Sequence, residues 1–173
     1  MVWLFWLVAA IVLLFGFVVF RGAPYVPSHR REVLRAFSEL YPVGVDDVVV
    51  DVGSGDGIIL RLASARGARA VGYELNPVLV IISRFLSRGD KNVKVYLSDF
   101  WLTKLPDDTT LVYAFTVTRD IEKMAKKLQG EADRLGHPLY FVSYGSSIGT
   151  HEKLKELGAH HLYRFDPLQE MKA

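Results

Sequence analysis

Residues 51–57 read Asp51-Val52-Gly53-Ser54-Gly55-Asp56-Gly57. Glycines in such a run remove side chains from a turn, so that a ligand can touch the backbone, and a helix opening behind it offers free amides to an anion such as an amino acid's carboxylate. The dinucleotide fingerprint requires Gly-x-Gly-x-x-Gly. Here position 58 is Ile58, the third glycine comes one place early, and Asp51 precedes the loop. That spacing favours S-adenosylmethionine. Glu74 closes the next apolar run, where an acidic side chain can accept hydrogen bonds from both hydroxyls of a ribose. After a third run, Ser98-Asp99-Phe100-Trp101 offers a carboxylate for an adenine amino group and aromatic surface for its ring.

The elements that must position these groups alternate. Strands are expected over residues 48–52, 70–74, 93–97, 110–115, 139–144 and 161–165. Helices are expected over 58–66, from 77 to near Gly89, over 120–135 and over 150–157. Asn76-Pro77 gives an N-cap followed by proline at the first helical position. Gly158 is read as a helix end. This order implies an α/β chain with a Rossmann-like, doubly wound, mostly parallel sheet and helices on both faces. In such a sheet ligands sit beyond the carboxyl ends of the strands, where all three acidic groups fall.

Residues 1–20 contain no charged side chain, and at about 1.5 Å rise per residue they are long enough to cross a bilayer as one helix. The segment lacks a basic start and the small residues of a cleavage site, so an anchor is expected rather than a signal peptide. Arg21, Arg30, Arg31 and Arg35 follow it closely, which puts the following domain on the cytoplasmic side, or the interior side of an organelle. The expected organisation is an anchor over residues 1–21, a connector and first helix over 22–42, and a cofactor-binding domain over 43–173. Pro24-Tyr25-Val26-Pro27 is a stiff spacer. Ser28 is expected to cap a helix whose inner side carries Val33, Leu34, Phe37 and Leu40. The chain has no cysteine, which excludes disulfides and thiolate chemistry, and its five histidines are scattered, so no metal site is expected. A net charge of +2 is too small to announce a nucleic-acid partner.

The loop of residues 51–57, the stretch Val71-Gly72-Tyr73-Glu74-Leu75-Asn76-Pro77 and Ser98-Asp99-Phe100-Trp101 together resemble the seven-strand (class I) methyltransferases. More narrowly, with the Pro24-Tyr25-Val26-Pro27 connector, the chain resembles the membrane-anchored protein lysine methyltransferases that modify the ATP synthase c subunit and the adenine nucleotide translocase, and their prokaryotic relatives. The resemblance covers about residues 24–101. After the fourth strand the family's Gly-Val-Pro-like turn is replaced by Thr116-Val117-Thr118.

The resemblance implies a methyltransferase binding S-adenosylmethionine through Asp51, Gly53, Ser54, Gly55, Gly57, Glu74, Leu75, Asn76, Asp99, Phe100 and Trp101. It further implies methylation of a lysine on a membrane-associated protein. Tyr25 and Thr116 are the candidate catalytic residues bordering the acceptor. A lipid or small membrane-soluble acceptor, and a non-catalytic scaffold that keeps the fold, are the alternatives.

Overall fold

The computed structural model describes residues 2–6 and 29–168. The connector with Tyr25 and Ser28, and most of the expected membrane span, lie outside the described residues. Among those described, no helix is long and apolar enough to cross a membrane.

Seven strands form one sheet: β1 (Val48–Val52), β2 (Arg69–Glu74), β3 (Val93–Leu97), β4 (Leu111–Thr116), β5 (Leu139–Gly145), β6 (Lys155–Leu157) and β7 (His160–Phe165). Their spatial order is β3-β2-β1-β4-β5-β7-β6. The first five run parallel, and β7 inserts antiparallel between β5 and β6. The helices are α1 (Arg30–Arg35), α2 (Ile58–Ser64), α3 (Pro77–Leu86) and α4 (Ile121–Leu135). Strand order reverses between β1 and β4, so the crevice of the fold opens at their carboxyl ends.

Both faces of the central strands are covered, which is why these strands read as unbroken apolar runs. On one face Val49, Ala70, Leu111, Tyr113 and Val142 pack against α1, α2 and α3 through Val33, Leu60 and Val80. On the other, Val50, Val71, Val112, Ala114 and Phe141 pack against α4 through Met124, Ala125 and Leu128. The first helix therefore belongs to the core. Its expected inner side is inward: Val33, Phe37 and Leu40 are buried, and Leu34 packs against them. His29 takes the N-cap position without a side-chain cap bond. Beyond Arg35 the chain continues as a π-helical stretch, Ala36–Leu40, and the Arg66 guanidinium donates to the Leu34 and Phe37 carbonyls at 3.0 and 2.8 Å. Arg66, two residues past the end of α2, thus adds a donor to carbonyls near the end of the first helical segment.

One expected element is corrected. Residues 150–157 do not form a helix; Lys155–Leu157 is β6, paired with β7 so that Leu157 faces His160. Gly158 has φ 60°, and with Ala159 it makes the two-residue turn of a hairpin. A glycine of positive φ serves a hairpin as well as a helix end, and the antiparallel partner in β7 decides between them.

Leu60 is fully buried between α2 and the sheet. Leu60→Ala is expected to cost about 2–5 kcal/mol of folding stability, measured by urea unfolding with an unchanged slope.

Candidate cofactor and acceptor site

The sequence-derived acidic groups converge on the carboxyl edge. Val52 pairs with Tyr73, and Glu74 pairs with Leu97, so the ends of β1, β2 and β3 lie side by side. Leaving β1, the chain turns back immediately: the N–H groups of Gly53 and Ser54 donate to the Tyr73 carbonyl at 2.9 and 3.1 Å. Gly55 N–H then donates to Glu74 Oε2 at 2.9 Å, and Asn76 N–H donates to Glu74 Oε1 at 2.8 Å. Glu74 is thereby fixed with both oxygens engaged. A carboxylate has about four lone-pair sites, so two acceptor positions remain for ligand hydroxyls. Asn76 caps α3 through its side chain, which accepts from Val78 N–H at 2.9 Å, and Pro77 takes the first helical position as expected. Leu75 is half-buried between them.

The loop's path requires its glycines. Gly53, Gly55 and Gly57 all have positive φ, and a Cβ on Gly57 would lie 2.1 Å from Ser83 Oγ of α3. Two further residues hold this packing and were absent from the sequence-derived site. A Cβ on Gly72 of β2 would fall 2.5 Å from Ser54 Oγ and 2.6 Å from Leu60 Cδ1. Ser83 is the small residue that lets α3 meet the loop. Its signal in the sequence is a lone serine inside the apolar run of residues 78–86. The hydroxyls of Ser54 and Ser83 are both buried without a hydrogen-bond partner among the described residues.

Asp51 is 3% exposed, and its carboxylate accepts no hydrogen bond from a described residue. Burial first, then the charges of Glu74 and Asp56, push its pKa well above the usual carboxylate range. Asp56 is answered by Arg61, whose guanidinium lies 3.2 Å from Asp56 Oδ2 and donates to the Asp56 carbonyl. No other cation sits in the loop sequence. The edge is thus rich in acceptors, with one buried acid that lacks a counter-charge among the described residues. It suits a ligand bearing a cation and hydroxyls, and it is a poor fit for the phosphates of a dinucleotide. Asp51, Glu74 and the loop amides are the groups that could hold the ammonium, ribose and carboxylate of S-adenosylmethionine.

At the third strand end Asp99 accepts from Trp101 N–H at 2.9 Å, capping the short 3-10 turn Phe100–Leu102. Trp101 is half-buried, with the Lys123 ammonium 4.0 Å above its ring. Phe100 differs from the expectation of an open aromatic surface. It is buried against Tyr73 and Trp101, with Lys127 over its ring, so it supports the site from behind. Buried Glu131 of α4 fastens this segment by accepting from Leu105 N–H at 3.2 Å while pairing with Lys127 and Arg134.

Thr116 ends β4 beside this group. Its hydroxyl is buried, 2.5 Å from Ser143 Oγ, and donates to the Ser146 carbonyl at 3.1 Å. Thr116 therefore ties the end of β4 to the turn after β5. The structure brings Asp51, residues 53–57, Glu74, Asn76, Asp99 and Thr116 to one edge; Tyr25 lies outside the described residues.

No family model matches the chain. It is 38% identical over 111 residues to the ATP synthase c-subunit lysine N-methyltransferase of Xenopus laevis, a match covering 62% of this chain and 48% of that protein. The chain thus spans about half the length of that curated relative. It is 31% identical over 115 residues to a protein-lysine N-methyltransferase of Saccharolobus islandicus (strain REY15A), covering 62% of this chain and 69% of that protein. Among solved structures, an RNA methyltransferase from Salinibacter ruber in complex with S-adenosyl-L-homocysteine superposes with a TM-score of 0.71 at 27% identity, covering 81% of this chain and 92% of that one. The seven-strand sheet, the acidic groups at its carboxyl edge and these relatives agree, and the chain belongs to the protein-lysine N-methyltransferases of the seven-strand, class I methyltransferase fold.

Proposed function

We propose that the chain methylates a lysine of a membrane-associated protein, using S-adenosylmethionine, and that residues 1–20 hold it at the membrane. The observation that carries the reading is buried Asp51, without a counter-charge among the described residues, beside a Glu74 already locked by two backbone amides. A cationic cofactor with a ribose relieves the first and completes the second. The relatives named for the ATP synthase c subunit support a protein acceptor at a membrane, and the uncharged residues 1–20 support tethering, which concentrates the site on targets within reach.

Bound S-adenosylmethionine would supply a methyl group activated on a sulfonium: a neutral lysine nitrogen bonds to that carbon, the carbon–sulfur bond breaks with sulfur leaving as the neutral thioether, and the nitrogen's proton leaves to solvent. The chain's own task is to hold the partners in line and to keep the acceptor desolvated, since burial lowers a lysine's pKa toward the neutral, nucleophilic form. Thr116, through the β4–β5 tie, and Tyr25 on the connector are the residues proposed to border the acceptor.

Membranes from the source cells, given methyl-labelled S-adenosylmethionine and either the wild-type chain or Asp51→Ala, test the reading. Label is expected in a protein band, dependent on Asp51 and recovered as methyl-lysine after hydrolysis. Asp51-dependent label in the lipid or RNA fraction instead would overturn the lysine acceptor.

The raised pKa of Asp51 also gives cofactor affinity a sign. An ammonium ligand favours the ionised carboxylate, so affinity rises with pH above about 4, the ordinary value, and levels off once Asp51 is ionised. Asp51→Asn is expected to weaken binding about 10- to 100-fold, as befits the loss of a charged hydrogen bond, and to flatten that dependence. In the ligand-free chain the same shift means that the folded state loses stability as pH rises above the unfolded value. Asp51→Asn is therefore expected to raise the ligand-free melting temperature at neutral pH. Calorimetric titration and thermal unfolding across the acid range check both.

A further inference from the structure

Helix α3 is built inside out. A helix covering a sheet ordinarily turns its large apolar side chains inward and its charges outward. Here the buried residues are Val80, Ser83 and, just past the helix end, Ser87, while Val78, Ile81, Ile82, Phe85 and Leu86 are exposed at 47%, 66%, 39%, 62% and 49%. Positions 78, 81, 82 and 85 follow the i, i+3, i+4, i+7 spacing, so the exposed residues form one continuous stripe. The inward side is small for a reason given by the loop: Ser83 sits where Gly57 must pass. That close approach accounts for the serine. It leaves the outward Ile, Phe and Leu residues without a role in the fold.

The surroundings of the stripe specify its partner. From residue 77 to residue 97 the chain carries four cations, Arg84, Arg88, Lys91 and Lys94, against one acid, Asp90; the Arg84 guanidinium donates to the Val95 carbonyl at 3.0 and 2.7 Å, which leaves Arg88, Lys91 and Lys94 for a partner. Asp90 is already engaged by the Ser64 hydroxyl and Asn92 N–H. The Arg88 guanidinium lies 4.3 Å from the Phe85 ring centroid, so charge and apolar surface adjoin. Leu97, exposed at the end of β3, stands opposite Glu74 in register and brings apolar surface to the cofactor edge. An apolar stripe carrying Phe, Leu and Ile beside basic side chains fits the boundary between headgroups and acyl chains of an anionic bilayer, where long cationic side chains reach to the phosphates. The uncharged residues 1–20, proposed above to hold the chain at the membrane, would keep α3 within reach of the same bilayer.

We propose that the outward face of α3, Val78, Ile81, Ile82, Phe85 and Leu86, docks into the surface of an anionic lipid bilayer. Docking there sets the cofactor edge at the membrane surface, because Asn76, the cap of α3, lies two residues beyond Glu74. The inference rests on the membrane placement proposed above.

The chain lacks cysteine, so single cysteines at Ile81→Cys, Phe85→Cys and, as a reference on α4, Lys126→Cys can each carry an environment-sensitive fluorophore. The full-length labelled chains are reconstituted with vesicles of phosphatidylcholine and phosphatidylglycerol containing brominated acyl chains, and flotation is read separately. Labels at 81 and 85 are expected to shift to the blue and to be quenched severalfold more strongly than the label at 126. Adding Ile81→Glu is expected to return the label at 85 to the reference level while the chain still floats. Equal quenching at all three positions in floating vesicles would overturn docking and leave the membrane placement standing. A blue shift without quenching by lipid would overturn it in favour of a protein occupant, such as a second copy of the chain. A chain that does not float would overturn docking and placement together.

Discussion

The site depends on the carboxylate of Glu74. Its two oxygens take the N–H groups of Gly55 and Asn76, one on the loop after β1 and the other at the cap of α3. Both donors face a buried acid, and leaving either unpaired would cost about 1–3 kcal/mol. One side chain at the end of β2 thus joins three elements that the sequence separates. With the loop drawn onto β2, the chain turns through Gly53, Gly55 and Gly57, all at positive φ, which glycine adopts without a Cβ penalty. The small residues Gly72 and Ser83 follow from that path, because anything larger would meet Ser54, Leu60 or Gly57.

The same convergence has an electrostatic cost. Asp51, Asp56 and Glu74 crowd one turn with a single engaged arginine as counter-charge. A fold selected for stability alone would neutralise Asp51 or replace it. A buried acid in a loop whose Ser54 hydroxyl has no hydrogen-bond partner among the described residues is the arrangement expected where a ligand completes the network and where stability of the free protein is given up for binding.

How much of this the sequence shows depends on the range of the interaction. Strands β1 and β3 fall where their apolar runs predict, because both faces of a parallel strand are buried and the run has no ambiguous phase. Asn76-Pro77 marks the start of α3 because a cap and its helix are adjacent in the chain. Asp51, Glu74 and Asp99 are legible because each lies at a strand end, and strand ends share one edge. Three features escape such reading. The 150–157 segment has local signals that suit a helix, and only its pairing with β7 makes it a strand. Phe100 shares the site motif but is claimed by the core, through contacts with Tyr73 and α4 that no local pattern encodes. Ser83 looks like an interruption of an apolar helix until Gly57 is set against it.

The acceptor side is the least legible part because the proposed reaction asks little of side chains. Displacement at a sulfonium methyl needs alignment and a neutral nucleophile, and both can be supplied by shape and desolvation. The Thr116, Ser143 and Ser146 cluster reflects this: its hydroxyls are spent on one another and on backbone carbonyls, fixing the end of β4 instead of presenting a base. Selection of a substrate then falls to whatever surrounds the pocket. In this chain the large unexplained feature beside the cofactor edge is the outward stripe of α3, whose inward face had to be small to admit the glycine loop. The constraint that shapes cofactor binding and the surface that orients the enzyme toward its acceptor would then be two sides of one helix.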